Sequence, residues 1–135
     1  ETQIVGPTPD DWEKIVDAME DVVHRTGAYG QSGTAWYYIG QDIPYRMAGK
    51  SGTAQVVGIQ QGEVYDEEIL DEYQRKHAWF IAFAPADAPR IAVAVLVENG
   101  GGGSAIAAPV ARAVLDAYLL PPGTPPASVP QVASQ

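Results

Sequence analysis

A chain of 135 residues with 46% apolar residues has material for one small domain with a core. Its net charge of −9 sets it against nucleic acid and anionic membrane surfaces, so neither is expected as a partner. With no cysteine, a disulfide framework and a thiolate metal site are excluded, which suits an extracytoplasmic setting.

No apolar run in these residues reaches membrane-spanning length, and no leader pattern occurs. The chain opens on Glu1 rather than Met and so reads as a processed or excised piece of something longer.

The first predicted element is a helix over Pro9–Thr26. Thr8 can cap it, Pro9 suits the first helical position, and Asp10 and Asp11 favour the positive end of the helix dipole. Trp12, Ile15, Val16, Met19, Val22 and Val23 recur at helical spacing and predict one buried face, with Gly27 as the stop. Asp17, Glu20 and Asp21 fall on the other face, which reads as solvated surface.

The next stretch, GAYGQSGTAWYYIG, carries four glycines and reads as a connection. Trp36, Tyr37 and Tyr38 at its end are expected to begin a short strand and to close the edge of a core.

The run YRMAGKSGTAQVVG, residues 45–58, predicts a strand through its β-branched and apolar residues. A glycine within a strand marks a place where another backbone comes close. Lys50, Ser51, Gly52 and Thr53 set a cation and two hydroxyls around such a glycine, a set that suits an extended ligand ending in a carboxylate. Taken by themselves, the same residues also fit an ordinary edge strand whose lysine deters aggregation.

Residues 60–74 are strongly acidic and are followed by Arg75, Lys76 and His77. They predict an exposed insertion with a short helix near Asp66–Arg75, the acid-first order complementing the helix dipole. The acids lack the Asp-x-Asp-x-Asp-Gly pattern of a calcium loop. His24 and His77 have no partner at ligand spacing, so no metal and no cofactor is expected.

Residues 78–85 and 90–99 predict two strands joined by the turn PADAPR, hence antiparallel. The second alternates Ile91, Val93, Val95 and Val97 against Ala92, Ala94, Leu96 and Glu98, and its apolar faces predict cover on both sides. Residues 104–120 predict the last helix, with Ile106, Val110, Val114 and Leu115 apolar and either a start or a kink at Pro109. The proline-rich end, 121–135, has little to bury and reads as a disordered tail.

Two nucleotide-binding patterns fail on inspection. Gly49-Lys50-Ser51 would end a P-loop, but the required first glycine falls at Pro44 and a strand follows in place of a helix. Gly100 to Ala105 satisfies G-x-G-x-x-A, yet no second parallel strand with an acidic end comes after the helix. Those glycines are expected to turn the chain from sheet to helix.

The segment Lys50-Ser51-Gly52 resembles the third motif, Lys-Thr/Ser-Gly, of the penicillin-recognising serine acyl-transferases. The strand KSGTAQ, the hairpin HAWFIAFAP with RIAVAVLVENGG, and the helix AAPVARAVLDAYL are similar, in order, to the end of the transpeptidase domain of class B penicillin-binding proteins. The likeness is to the cell-elongation branch of that family and covers Pro7 to Leu120.

That resemblance implies a D,D-transpeptidase that cross-links peptidoglycan stem peptides ending in D-Ala-D-Ala and is inhibited by β-lactam antibiotics. It implies a setting on the periplasmic face of the bacterial inner membrane, among cell-elongation membrane proteins. The donor peptide would lie along the Lys50 strand as an added strand. Gly52 would leave room for its backbone, and the Ser51 and Thr53 hydroxyls would hold the terminal carboxylate. The Thr53 backbone N–H would serve the oxyanion hole, where a donor is typically worth about 3–4 kcal/mol. Lys50 would add positive potential and bridge to a second-motif serine.

The family's nucleophile motif S-x-x-K and its second motif S-x-N do not occur in these 135 residues. A companion segment or chain is expected to carry them, and this chain alone is expected to be inactive.

The expected architecture is therefore an α/β (α+β) piece. An antiparallel sheet of strands near 45–58, 78–85 and 90–99 packs against helices near 9–26 and 104–120. Residues 1–120 would be the C-terminal portion of the transpeptidase domain. Rival readings are a D,D-carboxypeptidase or β-lactamase on the same fold, or a non-catalytic penicillin-binding sensor module.

Overall fold

The structure is a computed structural model that describes residues 6–28, 30–54 and 76–124. Three strands, β1 (Ala48–Ala54), β2 (His77–Ala84) and β3 (Ile91–Val97), form one antiparallel sheet in the order β1-β2-β3. Helices α1 (Pro9–His24) and α2 (Ala108–Leu119) pack against it, so the expected α+β arrangement is present. The described strand β1 is shorter than the 45–58 run, and residues 55–58, the acidic stretch 60–74 and the tail beyond Thr124 lie outside the described residues.

Helix α1 starts as its sequence dictates. The Thr8 hydroxyl accepts the Asp11 N–H at 3.3 Å and the Asp11 carboxylate accepts the Thr8 N–H at 3.0 Å, a reciprocal capping box. Its end differs from expectation, because the helix closes at His24 and Gly27 keeps an ordinary backbone. The stop comes instead from the loop behind it. Gly33 and Ala35 donate their N–H groups to the carbonyls of Arg25 and Val22, so the last turn finds its partners outside the helix. Gly33 can sit there only without a side chain, since a Cβ would stand 2.0 Å from the Asp21 carbonyl oxygen.

The apolar stripe of α1 is only partly used. Val23 is fully buried, whereas Trp12 and Ile15 are exposed. The aromatic trio also departs from expectation: Trp36–Gly40 is a π-helical turn, not a strand. The Tyr38 and Ile39 N–H groups both donate to the Ala35 carbonyl, which winds the chain and buries Ile39. Tyr37 is left exposed, edge-on to Tyr38.

The core lies on one face of the sheet. Ala78, Phe80, Ala82 and Ala84 alternate along β2 and are all buried, facing Ala107, Ala108, Ala111 and Leu115. Alanines at these helical positions let α2 come close to the strands. Of the apolar positions named for this helix, Leu115 is buried, whereas Val110 and Val114 are exposed. Along β3, Ile91, Val93, Val95 and Val97 pack on the core, but Ala92, Ala94 and Leu96 are exposed. Among the described residues the second face of β3 is thus open, where cover on both sides was expected.

The link from β3 to α2 behaves as the glycines suggest. Gly101 takes φ +73°, which favours glycine, and Gly103–Ala107 makes a π-helical turn that runs into α2. Pro109 then falls in the first turn of α2, where its missing N–H costs no helix bond.

Candidate functional site around β1

β1 stands at one edge of the three-stranded sheet, bonded to β2 on one side. Its register decides where each site candidate lies. Gly49, Ser51 and Thr53 oppose Ala82, Phe80 and Ala78, the core-facing residues of β2. Lys50 and Gly52 oppose Ile81 and Trp79, which are exposed on the open face. The cation and the hydroxyls therefore project to opposite sides of one edge strand, as alternation requires.

Lys50 is exposed, and its Nζ donates to the Ser51 carbonyl at 2.5 Å. Thr53 is exposed and Ser51 half-buried.

The glycines of this region do different things. A Cβ on Gly49 would stand 2.8 Å from the Phe80 ring, so packing alone requires glycine there. A Cβ on Gly103 would stand 2.3 Å from the Trp79 carbonyl oxygen and 2.5 Å from that of Gly52. Gly52 itself meets only the Trp79 Cβ, at 3.4 Å, an ordinary contact. Nothing within the described fold demands a glycine at position 52.

The approach to β1 is held by residues that the sequence reading did not single out. Tyr45 Oη donates to Asp116 Oδ1 at 2.6 Å, across 71 positions of sequence. Arg46 Nε donates to Glu20 Oε2 at 2.5 Å, and the Arg46 carbonyl accepts from the Ala86 N–H at 2.9 Å. The Met47 N–H donates to His24 Nε2 at 2.9 Å. Burial, seconded by the Asp116 carboxylate, pushes the Tyr45 hydroxyl well above its ordinary value, so it stays a donor. Burial also pulls the His24 imidazole below its ordinary value, and the nearby Arg46 cation acts in the same direction.

Behind Tyr45, Arg112 is buried on α2. It donates to the Ile39 carbonyl at 2.8 Å and to Asp42 Oδ1 at 2.5 Å. Its Nε lies 3.3 Å from Asp116 Oδ2, an ion pair without hydrogen-bond geometry. The signal in the sequence was an Arg and an Asp four apart in the otherwise apolar RAVLDAYL stretch, a spacing that brings both to one helix face. For Tyr45, Arg46 and His24 no local pattern exists.

Both histidines serve the backbone. His24 accepts from Met47, and His77 Nδ1 accepts the Asn99 N–H at 3.0 Å.

Residues 7–116 match the penicillin binding protein transpeptidase domain. The peptidoglycan D,D-transpeptidase MrdA of Haemophilus influenzae is 44% identical over 108 residues, which are 80% of this chain and 16% of that protein. Among solved structures, Pseudomonas aeruginosa PBP2 in complex with WCK 5153 superposes with a TM-score of 0.67 at 43% identity, covering 89% of this chain and 22% of that one. Helicobacter pylori PBP2, solved in complex with MreC, gives a TM-score of 0.50 at 29% identity over 73% of this chain and 16% of that one. The chain thus spans a small part of the relatives it matches.

Proposed function

Since the chain belongs to the penicillin binding protein transpeptidase family, we propose that it forms the C-terminal part of a serine D,D-transpeptidase domain that cross-links peptidoglycan stem peptides through an acyl-enzyme. The observation that carries this reading is β1: an edge strand bearing Lys50, Ser51 and Thr53, with a glycine at position 52 that the fold does not need.

In this reading a stem peptide ending in D-Ala-D-Ala adds to the free edge of β1 as a further strand, and β-lactams occupy the same place. The absent side chain of Gly52 leaves room for the ligand backbone. The Ser51 and Thr53 hydroxyls hold the terminal carboxylate, and the Thr53 N–H donates to the oxyanion as it forms. Lys50 brings positive charge to the serine that takes up the acyl group. That serine, in S-x-x-K, and the S-x-N motif come from a companion segment or chain. Lys50 then leaves the Ser51 carbonyl and turns to the second-motif serine.

The relatives are named as transpeptidases, which favours an amine acceptor over the water of a carboxypeptidase or β-lactamase. The H. pylori relative was solved with MreC, and we extend this to cell-elongation membrane proteins as partners of the complete protein. The periplasmic face of the inner membrane is the matching setting. Among the described residues no helix is long and apolar enough to cross a membrane.

The test is labelling of the complete domain by a fluorescent penicillin, followed by a cross-linking assay with a stem peptide and an amine acceptor. Covalent labelling with amide formation is the expected result. Labelling followed only by hydrolysis would assign the domain to a carboxypeptidase or β-lactamase.

A further inference from the structure

An edge strand has a hydrogen-bonded neighbour on one side only, so its position depends on how it is anchored at its ends. β1 is entered through Tyr45, Arg46 and Met47, and each is tied to a different part of the fold. Tyr45 holds Asp116 of α2, the Arg46 carbonyl holds Ala86 beyond β2, and Met47 holds His24 of α1. The Arg46 side chain pairs with Glu20, one turn before His24 on the same helix. Met47 and Ala48 are fully buried, so the strand starts from a fixed point. Lys50 stands three residues further on, about 10 Å along an extended chain.

The geometry points to Tyr45–Met47 as a clamp that sets the position of the ligand-binding edge, with His24 as a positioning residue that acts only through an unprotonated Nε2. This inference rests on the reading of β1 as the strand along which the stem peptide lies.

A backbone N–H needs an acceptor, and the Nε2 of His24 supplies one only while it carries no proton. A proton there would set N–H against N–H at 2.9 Å. The charged groups that face the imidazole are Arg46 from the entry segment and Glu20 from α1 itself. Burial, and after it Arg46, oppose protonation while Glu20 favours it, and the balance lies against the proton. The Met47 anchor is therefore in place at neutral pH and is released when the medium becomes acidic enough to protonate His24.

The experiment uses the complete transpeptidase domain as wild type, His24→Gln and His24→Ala. Gln is chosen because its Oε1 reaches a position like that of Nε2 and accepts a hydrogen bond at any pH. Acylation by a fluorescent penicillin is followed from about pH 5 to about pH 8. Wild type should lose rate on the acid side, below the ordinary histidine value of about 6.5. His24→Gln should stay within about threefold of wild type at neutral pH and lose that acid limb, whereas His24→Ala should be slower than wild type by about five- to tenfold at neutral pH and should converge with it in acid. An acid limb unchanged in His24→Gln, or a His24→Ala enzyme as fast as wild type at neutral pH, would overturn the inference. Backbone hydrogen exchange of Lys50–Ala54 gives a second readout that needs no chemistry. Protection should fall in His24→Ala and be kept in His24→Gln. If wild type takes no label at all, the acyl-transfer reading fails, and the exchange data alone decide the clamp, with unchanged protection in His24→Ala counting against it.

Discussion

Lys50 and Thr53 sit three positions apart on one strand, yet their side chains leave it on opposite sides, so their roles can be separated by substitution. In the proposed reading Lys50→Ala would remove a cation beside the reacting serine, while Lys50→Arg would keep the charge in a different shape. Acylation of the complete enzyme by a β-lactam should slow by orders of magnitude in the first and by less in the second. Thr53→Val keeps the backbone N–H and deletes the hydroxyl. It should cost about 1.5–3 kcal/mol, roughly ten- to a hundredfold in k2/K, with a free carboxylate ligand. A β-lactam whose carboxylate is esterified should lose almost nothing. Equal losses with acid and ester would show that Thr53 does not hold the carboxylate. Deeper in the fold, Asp116 accepts from Tyr45 and faces Arg112, and both ionised groups are buried. Asp116→Ala should destabilise the domain by about 3–5 kcal/mol in chemical denaturation, because a buried guanidinium is left with the mostly exposed Asp42 as its carboxylate partner. Tyr45→Phe loses one charge-assisted hydrogen bond and should cost about 1.5–3 kcal/mol.

Between elements, the glycines distinguish space needed by the fold from space left for a ligand. Gly103 closes the approach of the π-helical turn to the backbones of β1 and β2, and a methyl there would meet carbonyl oxygens. Gly103→Ala should lower the denaturation free energy by about 1–3 kcal/mol. Gly52→Ala meets only ordinary contact and reduces the freedom of the unfolded chain. It should leave the melting temperature unchanged or raise it, while penicillin acylation of the complete domain falls at least tenfold. A fully active Gly52→Ala enzyme would remove the case for a ligand strand at this edge. Helix α1 carries a pH dependence through His24. Its imidazole has a lowered pKa in the folded chain, so the unfolded chain binds more protons in acid. The stability linked to it is fully present above the ordinary value of about 6.5 and is lost as pH falls from there through the folded value. Thermal melts should therefore show a steeper loss across that window in wild type than in His24→Gln.

At the scale of the molecule, among the described residues, large apolar side chains are exposed on several faces: Trp12 and Ile15 on α1, Tyr37 on the π-helical turn, Trp79, Ile81 and Leu96 on the open face of the sheet, and Val110, Val114 and Tyr118 on α2. Arg90 covers the Tyr118 ring from 5.7 Å, a partial screen for one of them. Patches of this kind mark surfaces that meet other protein. The 135 residues by themselves should bind a hydrophobic dye strongly, and a charge placed at Ile81 or Leu96 should reduce that binding with little change in melting temperature. The same 135 residues should also form no covalent adduct with a labelled penicillin by intact-mass measurement, since no S-x-x-K is present. An adduct on Ser51 or any other serine of this chain would overturn the assignment of the nucleophile to a companion segment.

Local chemistry carried much of the fold. The Thr8 cap, the antiparallel pairing of β2 with β3 and the glycines before α2 act within a few residues, and the structure has each of them where the sequence placed it. The family was legible because strand, hairpin and helix follow one another in a fixed order, and the match over residues 7–116 agrees. Other features were decided by contacts between distant parts of the chain. Trp36–Gly40 has the side chains of a strand, but the backbone just before it, at Gly33 and Ala35, is bonded to the end of α1, and the chain winds on from Ala35 into a helical turn. Trp12 and Val114 have the right period for a core and are exposed, on faces that no described residue covers. The anchors of β1 join Tyr45 to Asp116, Arg46 to Glu20 and Met47 to His24. Periodicity reports which residues share a face of one element. Which element meets that face, and which single atoms then come within hydrogen-bond reach, is set only when the helices close on the sheet.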